Sequence, residues 1–357
     1  MKVRDELQDS VECGSDWLIR RQKLNGEFDN CGSELAAYYK ALLAFAVCGR
    51  LEAGNRCLKY VKENLQNQKG ELCSGLTKTG FPRLQRNLSN YMDGWVAIGA
   101  WLLKDYEFAD RLTLLLKSQQ SEAHGGVATG PEKWSGRLRY DLATAASCGR
   151  AFFITGHRAA AFLVANFLVE AIKRQSNLKG GLDLCFDEEW RRVDVPEPSE
   201  RTYYRLDVSS RGEKVWFPAF SCAFLCEVFQ VSGDTAHLNA AKEYFKIVSA
   251  IPEFKEGVLA NGKSGWSAGL LALATGEKEY LNALRWIVPN VLARQMKEGE
   301  FGPSPRSRSR SAPQFVSSGE ATGKPEIPMP RRLETTAEFT TWSVQFLRMH
   351  ALGLWDI

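Results

Sequence analysis

Two carboxylates have the setting that acid–base chemistry requires. Asp141 and Glu338 each lie one to two turns inside a mostly apolar helical stretch, where burial would raise a carboxyl pKa into the range of a general acid or base. The same positions suit a helix cap or an inter-helix hydrogen bond. Tyr38, Tyr91 and Lys263 are of types that donate protons or stabilise a developing anion, or else pack with a polar tip at a rim. Trp216 and Trp266 offer π faces that stack on a ring or hold a cation, or fill a core. Tyr39, Asn90, Thr336 and Trp342 complete a set of substrate-contacting candidates, and Glu34, Lys40, Asn87, Asp93, Tyr140, Thr144, Ser264 and Glu334 fall on the same first turns. Aromatic walls with sparse polar groups are the composition of a small-molecule pocket.

Metal and redox chemistry have little to draw on. The four histidines include no pair at metal-ligand spacing, and His124 sits in a repeated turn where a structural role is expected. The nine cysteines are scattered, odd in number and without a CxxC, which predicts packed thiols in a reducing, cytoplasmic setting. Walker A, dinucleotide-glycine and Gly-x-Ser-x-Gly motifs are all missing. No cofactor and no metal are expected.

The candidates share a position because the chain repeats. Six times a helix ends near a Gln or Glu and passes through a Gly-centred turn to an apolar residue: Gln22…Gly26-Glu-Phe28, Gln68-Lys-Gly70-Glu-Leu72, Gln120…Gly126-Val127, Gln175…Gly181-Leu182, Glu256-Gly257-Val258 and Gln295…Gly299-Glu-Phe301. Glycine ends helices because it enters the left-handed region without a Cβ clash. A tighter link alternates with this turn at Cys48-Gly49, Thr155-Gly156, Ser232-Gly233 and Thr275-Gly276, with Lys104-Asp105 in the same role without glycine. The intervals predict twelve helices, near 5–22, 33–48, 51–67, 87–103, 105–120, 139–155, 157–175, 216–232, 235–250, 263–275, 277–295 and 333–352. Apolar spacings of three and four mark most of them. The even-numbered ones are rich in Ala, Gly, Phe and Trp on several faces, as in Met92–Leu103 and Phe217–Phe229, and helices apolar nearly all round are buried. They form an inner ring within an outer one: an all-α (α/α)6 toroid of six hairpins, taken as one domain over 1–357.

The tight turns join inner helix to outer helix at one end, and the long connections lie at the other. Long loops carry function more often than tight turns do. All six inner-helix N-termini open onto the long-loop end, where free N–H groups favour an anionic substrate group. Two connections exceed the rest. Segment 182–214, with short-strand signals at Leu182–Phe186 and Thr202–Val208, is expected to fold over the mouth as a hairpin lid. Segment 302–332, rich in Ser, Arg and Pro, is expected to be a flexible insertion.

The Q-x3-G-x-F type repeat resembles those of terpenoid cyclase and protein prenyltransferase toroids, such as squalene–hopene cyclases. The Thr275–Ala283 turn resembles six-hairpin glycosidases and N-acylglucosamine 2-epimerases. Both likenesses cover most of the chain, and both speak to architecture more than to chemistry. The Asp-x-Asp-Asp acid of the squalene–hopene type is missing, as are Asp-Asp-x-x-Asp and any counterpart of the prenyltransferase zinc ligands.

The whole composition bounds what remains. In 357 residues, 46 Lys and Arg against 42 Asp and Glu leave +4, spread along the chain, unlike the clustered charge of a nucleic-acid binder. Apolar runs such as Ala159–Val169 are too short or interrupted to span a bilayer, and the first residues lack a signal peptide's apolar core. The leading expectation is a cofactor-free cyclase or isomerase of secondary metabolism. Its substrate would be a hydrophobic metabolite (terpenoid, polyketide or polyene), one that could carry an anionic group. The alternatives are a carbohydrate-active hydrolase, lyase or epimerase with paired carboxylates, and a non-catalytic toroid that binds lipid or peptide.

Overall fold

The computed structural model describes residues 2–73, 88–130, 136–193, 198–302 and 327–354. Its long helices are α1 Lys2–Arg20, α2 Ala41–Val47, α3 Leu51–Asn64, α4 Ser89–Leu102, α5 Tyr106–Lys117, α6 Leu142–Ile154, α7 Arg158–Lys173, α8 Trp216–Ser232, α9 Thr235–Ala250, α10 Gly262–Thr275, α11 Lys278–Leu292 and α12 Met329–Ala351. The even-numbered helices pack side by side in chain order, and α12 closes on α2. Each odd helix lies outside its hairpin partner, with α1 against α12. The molecule is therefore an (α/α)6 toroid. Its inner helices are buried on all sides, as α8 is continuously from Phe217 to Cys226.

The tight turns work as their residues predict. Gly49, Gly156, Gly233 and Gly276 all have φ between 69° and 91°, and space is open where a Cβ would stand, so backbone conformation alone selects glycine there. Lys104 takes the same left-handed turn at φ 68°, and Asp105 caps α5 by accepting from the Phe108 N–H.

Antiparallel bridges close four of the six other turns, at Gln22–Phe28, Gln66–Leu72, Gln120–Val127 and Gln295–Phe301. The second pairs Gln66, two residues before the Gln68 that the sequence spacing suggests. The first inner element is shorter than expected, a 3-10 turn at Leu35–Ala37 before α2, and α12 starts at Met329 rather than near 333.

At the long-loop end, β2 (Gly181–Asp183) pairs with β4 (Arg205–Asp207), and β1 (Tyr140–Asp141) pairs with β3 (Cys185–Phe186), all antiparallel. The first pair lies where the sequence predicts short strands, but β3 and a helical turn at Arg201–Tyr204 stand between its strands, so it is not a simple hairpin, and the expected strand from Thr202 begins only at Arg205. The second ties segment 182–214 to the start of α6. Most of the 302–332 insertion, residues 303–326, lies outside the described residues, as does Asn87. Among the described residues, no helix is long and apolar enough to cross a membrane.

Candidate active site

The axis of the ring is filled with aromatic side chains. Trp95 of α4, Phe220 of α8, Trp266 of α10 and Trp342 of α12 meet there, with ring centroids 5.1–6.1 Å apart. Gly262 permits this, because a Cβ on it would stand 2.0 Å from the Trp342 ring. Above this floor, on the long-loop side, a cavity of about 210 Å³ remains.

The cavity's charged residues come from five places. Lys40 lies just before α2, Lys263 in the first turn of α10, and Glu334 and Glu338 one turn apart on α12. Arg331 starts α12, Arg294 follows the end of α11, and Lys214 ends the lid segment; all seven line the cavity. Tyr39, Tyr91, Tyr203, Trp216 and Phe339 supply flat or apolar wall.

Most of the charges alternate in sign along a chain of contacts. Arg331 donates to Glu334 at 2.5 Å. Glu334 also accepts from the Tyr39 hydroxyl at 2.5 Å and from Lys40 at 2.9 Å. Lys40 reaches Glu338 at 2.5 Å, and Lys263 donates to the other oxygen of that carboxylate. Four rings surround the Lys263 ammonium, those of Trp95, Trp216, Phe220 and Trp342, at 5.3–5.7 Å.

Burial and partners set the protonation states. Burial would raise both glutamates, but Arg331, Lys40 and the Tyr39 hydroxyl outweigh it at Glu334 and bring that group to about 2. At Glu338 burial is outweighed by Lys263 and Lys40, and the carboxyl is held well below its usual range. The expectation that burial would turn Glu338 into an acid is thus reversed. Burial would also lower Lys40, but Glu334 and Glu338 raise it well above its ordinary value. Lys263 goes the other way: burial lowers it, Glu338 offsets this in part, and nearby Lys40 adds to the fall, to about 8. The Tyr91 hydroxyl is pushed up by burial and keeps its proton.

Of the sequence candidates, Glu338, Tyr91, Lys263, Tyr39 and Trp216 line this cavity together, as do Lys40 and Glu334. The others stand elsewhere. Asp141 caps α6, accepting from the Ala143 and Thr144 N–H groups and the Thr144 hydroxyl. Burial raises it to about 6, yet it faces a crevice of only about 10 Å³, at most one water in size. Asp141 and Glu338 therefore do not face each other across the cavity. Tyr38 is fixed by donating to the Gly32 carbonyl and accepting from the Phe28 N–H. Asn90 donates to Gln119 and the Ala128 carbonyl. Thr336 accepts from the Phe301 N–H. Trp266 and Trp342 lie in the floor, buried beneath the lining. His124 accepts from the Gly126 N–H within its turn.

Sequence reasoning missed Lys214, Arg294, Arg331 and Tyr203. They come from the lid, from the residue before the repeat glutamine Gln295, and from a helix turn placed inside the insertion. For Lys214, Arg294 and Arg331 the signal was a cation beside a long loop at the long-loop end. Among the described residues, no group of three or more His, Cys, Asp or Glu side chains is placed to hold a metal.

No family model matches the chain, and no curated protein matches it in sequence. Solved structures do match in shape. Cellobiose 2-epimerase from Bacillus thermoamylovorans superposes with TM-score 0.65 at 11% identity, covering 97% of this chain and 98% of that one. The type II terpene cyclase MstE from Scytonema, in complex with geranylgeranyl dihydroxybenzoate, gives 0.59 at 15% identity over 98% and 99%. The GH76 α-mannanase of Bacteroides thetaiotaomicron gives 0.61 at 13% identity over 97% of each chain. The likeness is one of fold.

Proposed function

We propose that this protein is a proton-transfer enzyme, an isomerase or cyclase, acting on a small molecule with a flat face held in the mouth cavity. Lys263 is the proton carrier. The observation behind this is a buried amine facing the cavity within four aromatic rings, its pKa lowered to about 8. Such an amine exists in both protonation states near neutral pH, which is what acid–base catalysis requires. When Lys263 gives up its proton, Lys40 remains to compensate Glu338, with which it is paired at 2.5 Å. Tyr91 keeps its hydroxyl proton and donates a hydrogen bond to an oxygen on which charge develops, as in an enolate.

The same geometry weighs against the other mechanisms. Protonating an alkene needs a carboxylic acid, and both cavity glutamates are held ionised. Paired-carboxylate hydrolysis needs two groups flanking a bond, whereas Glu334 and Glu338 sit on one helix and each bonds two or more cationic or hydroxyl partners. A cavity of about 210 Å³ lies below the usual ligand-site range of roughly 300–1,000 Å³, which favours a compact substrate over a long polyene. The shape is shared with an epimerase and with a terpene cyclase; proton transfer beside a carbonyl fits isomerisation or an enolate-based ring closure, not polyene cyclisation.

The test is solvent-deuterium exchange into small carbonyl compounds that raise the melting temperature of the protein. Lys263→Met is expected to slow exchange by ~10²–10⁴-fold, and Tyr91→Phe by less. Undiminished exchange in a folded Lys263→Met protein would sink the assignment.

A further inference from the structure

The cavity lining has five cationic side chains, Lys40, Lys214, Lys263, Arg294 and Arg331, against two carboxylates, Glu334 and Glu338. The excess is not evenly spread. Lys40, Lys263 and Arg331 are paired with the glutamates. Lys214 and Arg294 form no ion pair among the described residues. The Lys214 ammonium lies 4.0 Å from the centre of the Tyr203 ring. Arg294 donates Nε to the Gly302 carbonyl and one Nη to the Ala260 carbonyl, both at 3.0 Å, and stacks 4.1 Å from Phe339. Those bonds fix the guanidinium and leave its other terminal nitrogen without a partner among the described residues.

Burial lowers both Lys214 and Arg294, and the nearby Arg331 charge adds to the fall of each, while Glu213 offsets part of it at Lys214 and Glu338 part of it at Arg294. Lys214 and Arg294, which share the cavity rim with Arg331 and have no ion pair of their own among the described residues, are only partly compensated. An oxyanion placed among them relieves the repulsion and gains charge-assisted hydrogen bonds.

We infer that the substrate carries an oxyanion, a carboxylate or phosphate, bound by Lys214 and Arg294 with Arg331 beside them, while its flat body lies on Tyr91 and Trp216 over Lys263. This rests on the proposed function for the reacting end and adds a substrate class and two binding residues. The lid thereby has a role in recognition, since Lys214 and the Tyr203 beneath it both belong to that segment.

Binding can be read without knowing the substrate. Benzoate, phenyl phosphate and neutral benzamide are titrated against the full chain by calorimetry, with intrinsic tryptophan fluorescence as a second signal. At least one oxyanion is expected to bind tenfold or more tighter than benzamide and to weaken with added salt. Lys214→Met and Arg294→Met are each expected to weaken it tenfold or more. Lys214 is only partly buried and lies outside the helices, so its variant should stay folded by circular dichroism even if the Arg294 variant does not. Benzoate preferred over phenyl phosphate identifies a carboxylate site, and the reverse a phosphate site. Benzamide binding as tightly as both oxyanions, no binding of either oxyanion, or unchanged affinity in a folded Lys214→Met protein overturns the inference. Lys263→Met separates the two ideas: oxyanion binding kept with exchange unaffected leaves the clamp standing and removes the proton carrier. Exchange lost in Lys263→Met with no oxyanion bound by wild type does the opposite.

Discussion

Glu338 decides the electrostatics of the cavity, because one carboxylate serves two buried ammonium groups. Replacing it with Gln leaves Lys263 without an ionic partner, and breaking a buried pair from one side costs ~3–5 kcal/mol. Urea denaturation of Glu338→Gln should show a loss of that order, and adding Lys263→Met should recover part of it. A second prediction concerns pH. An unfolded lysine keeps its proton up to about its ordinary 10.5, whereas folded Lys263 loses it near 8. Between those values the unfolded chain binds more protons, so stability rises with pH across that window. The rise should be smaller in Lys263→Met, measured as the difference in unfolding free energy between pH 8 and pH 10. An equal rise in both proteins would mean that Lys263 titrates normally. Glu338 and Lys263 stood out in the sequence because both lie on inner helices near the long-loop end. The charge state of Glu338 was not legible, because it depends on Lys40 and Lys263 arriving from helices almost 300 and 75 residues away in the chain.

The helices were legible because their pattern is local. Apolar periodicity and left-handed turns repeat every hairpin, and α8 and α9 begin and end where the spacing predicts. The 3-10 turn before α2 and the pairing of β1 with β3 were not, because each depends on neighbours distant in sequence. The tight turns give a test at this scale. Lys104 holds φ 68° with a side chain, a conformation that costs an L-residue ~1–2 kcal/mol. Part of that gain is returned as extra freedom of the unfolded glycine. Lys104→Gly should therefore stabilise the fold by a net ~1 kcal/mol, and Gly276→Ala should destabilise it by a similar amount, read as a raised and a lowered thermal midpoint; a destabilised Lys104→Gly would show that this lysine contributes something beyond its backbone.

The glutamine turns matter for the whole ring. Gln22 donates to the Ala53 carbonyl of α3, Gln120 to Ala160 of α7, and Gln295 to Ser10 of α1. The turn glycines press on the same helices, with a Cβ on Gly26, Gly125 or Gly299 falling 2.1–2.5 Å from the carbonyls of Arg56, Leu163 and Cys13. Each turn thus fastens one outer helix to the next, and the last fastens α11 to α1. Gly299→Ala would meet the Cys13 carbonyl at 2.2 Å in a left-handed backbone. It should cost more than ~3 kcal/mol and expose both α1 and α11 to hydrogen exchange. Protection lost from α11 alone would mean that the seam does not hold the circle shut.

The stacked indoles on the axis have a kinetic consequence. Among the described residues they fill the axis beneath the cavity, so under the proposed function reactant and product would share a single doorway. One cannot arrive until the other has left, and turnover should slow as product accumulates even when the chemistry itself is fast.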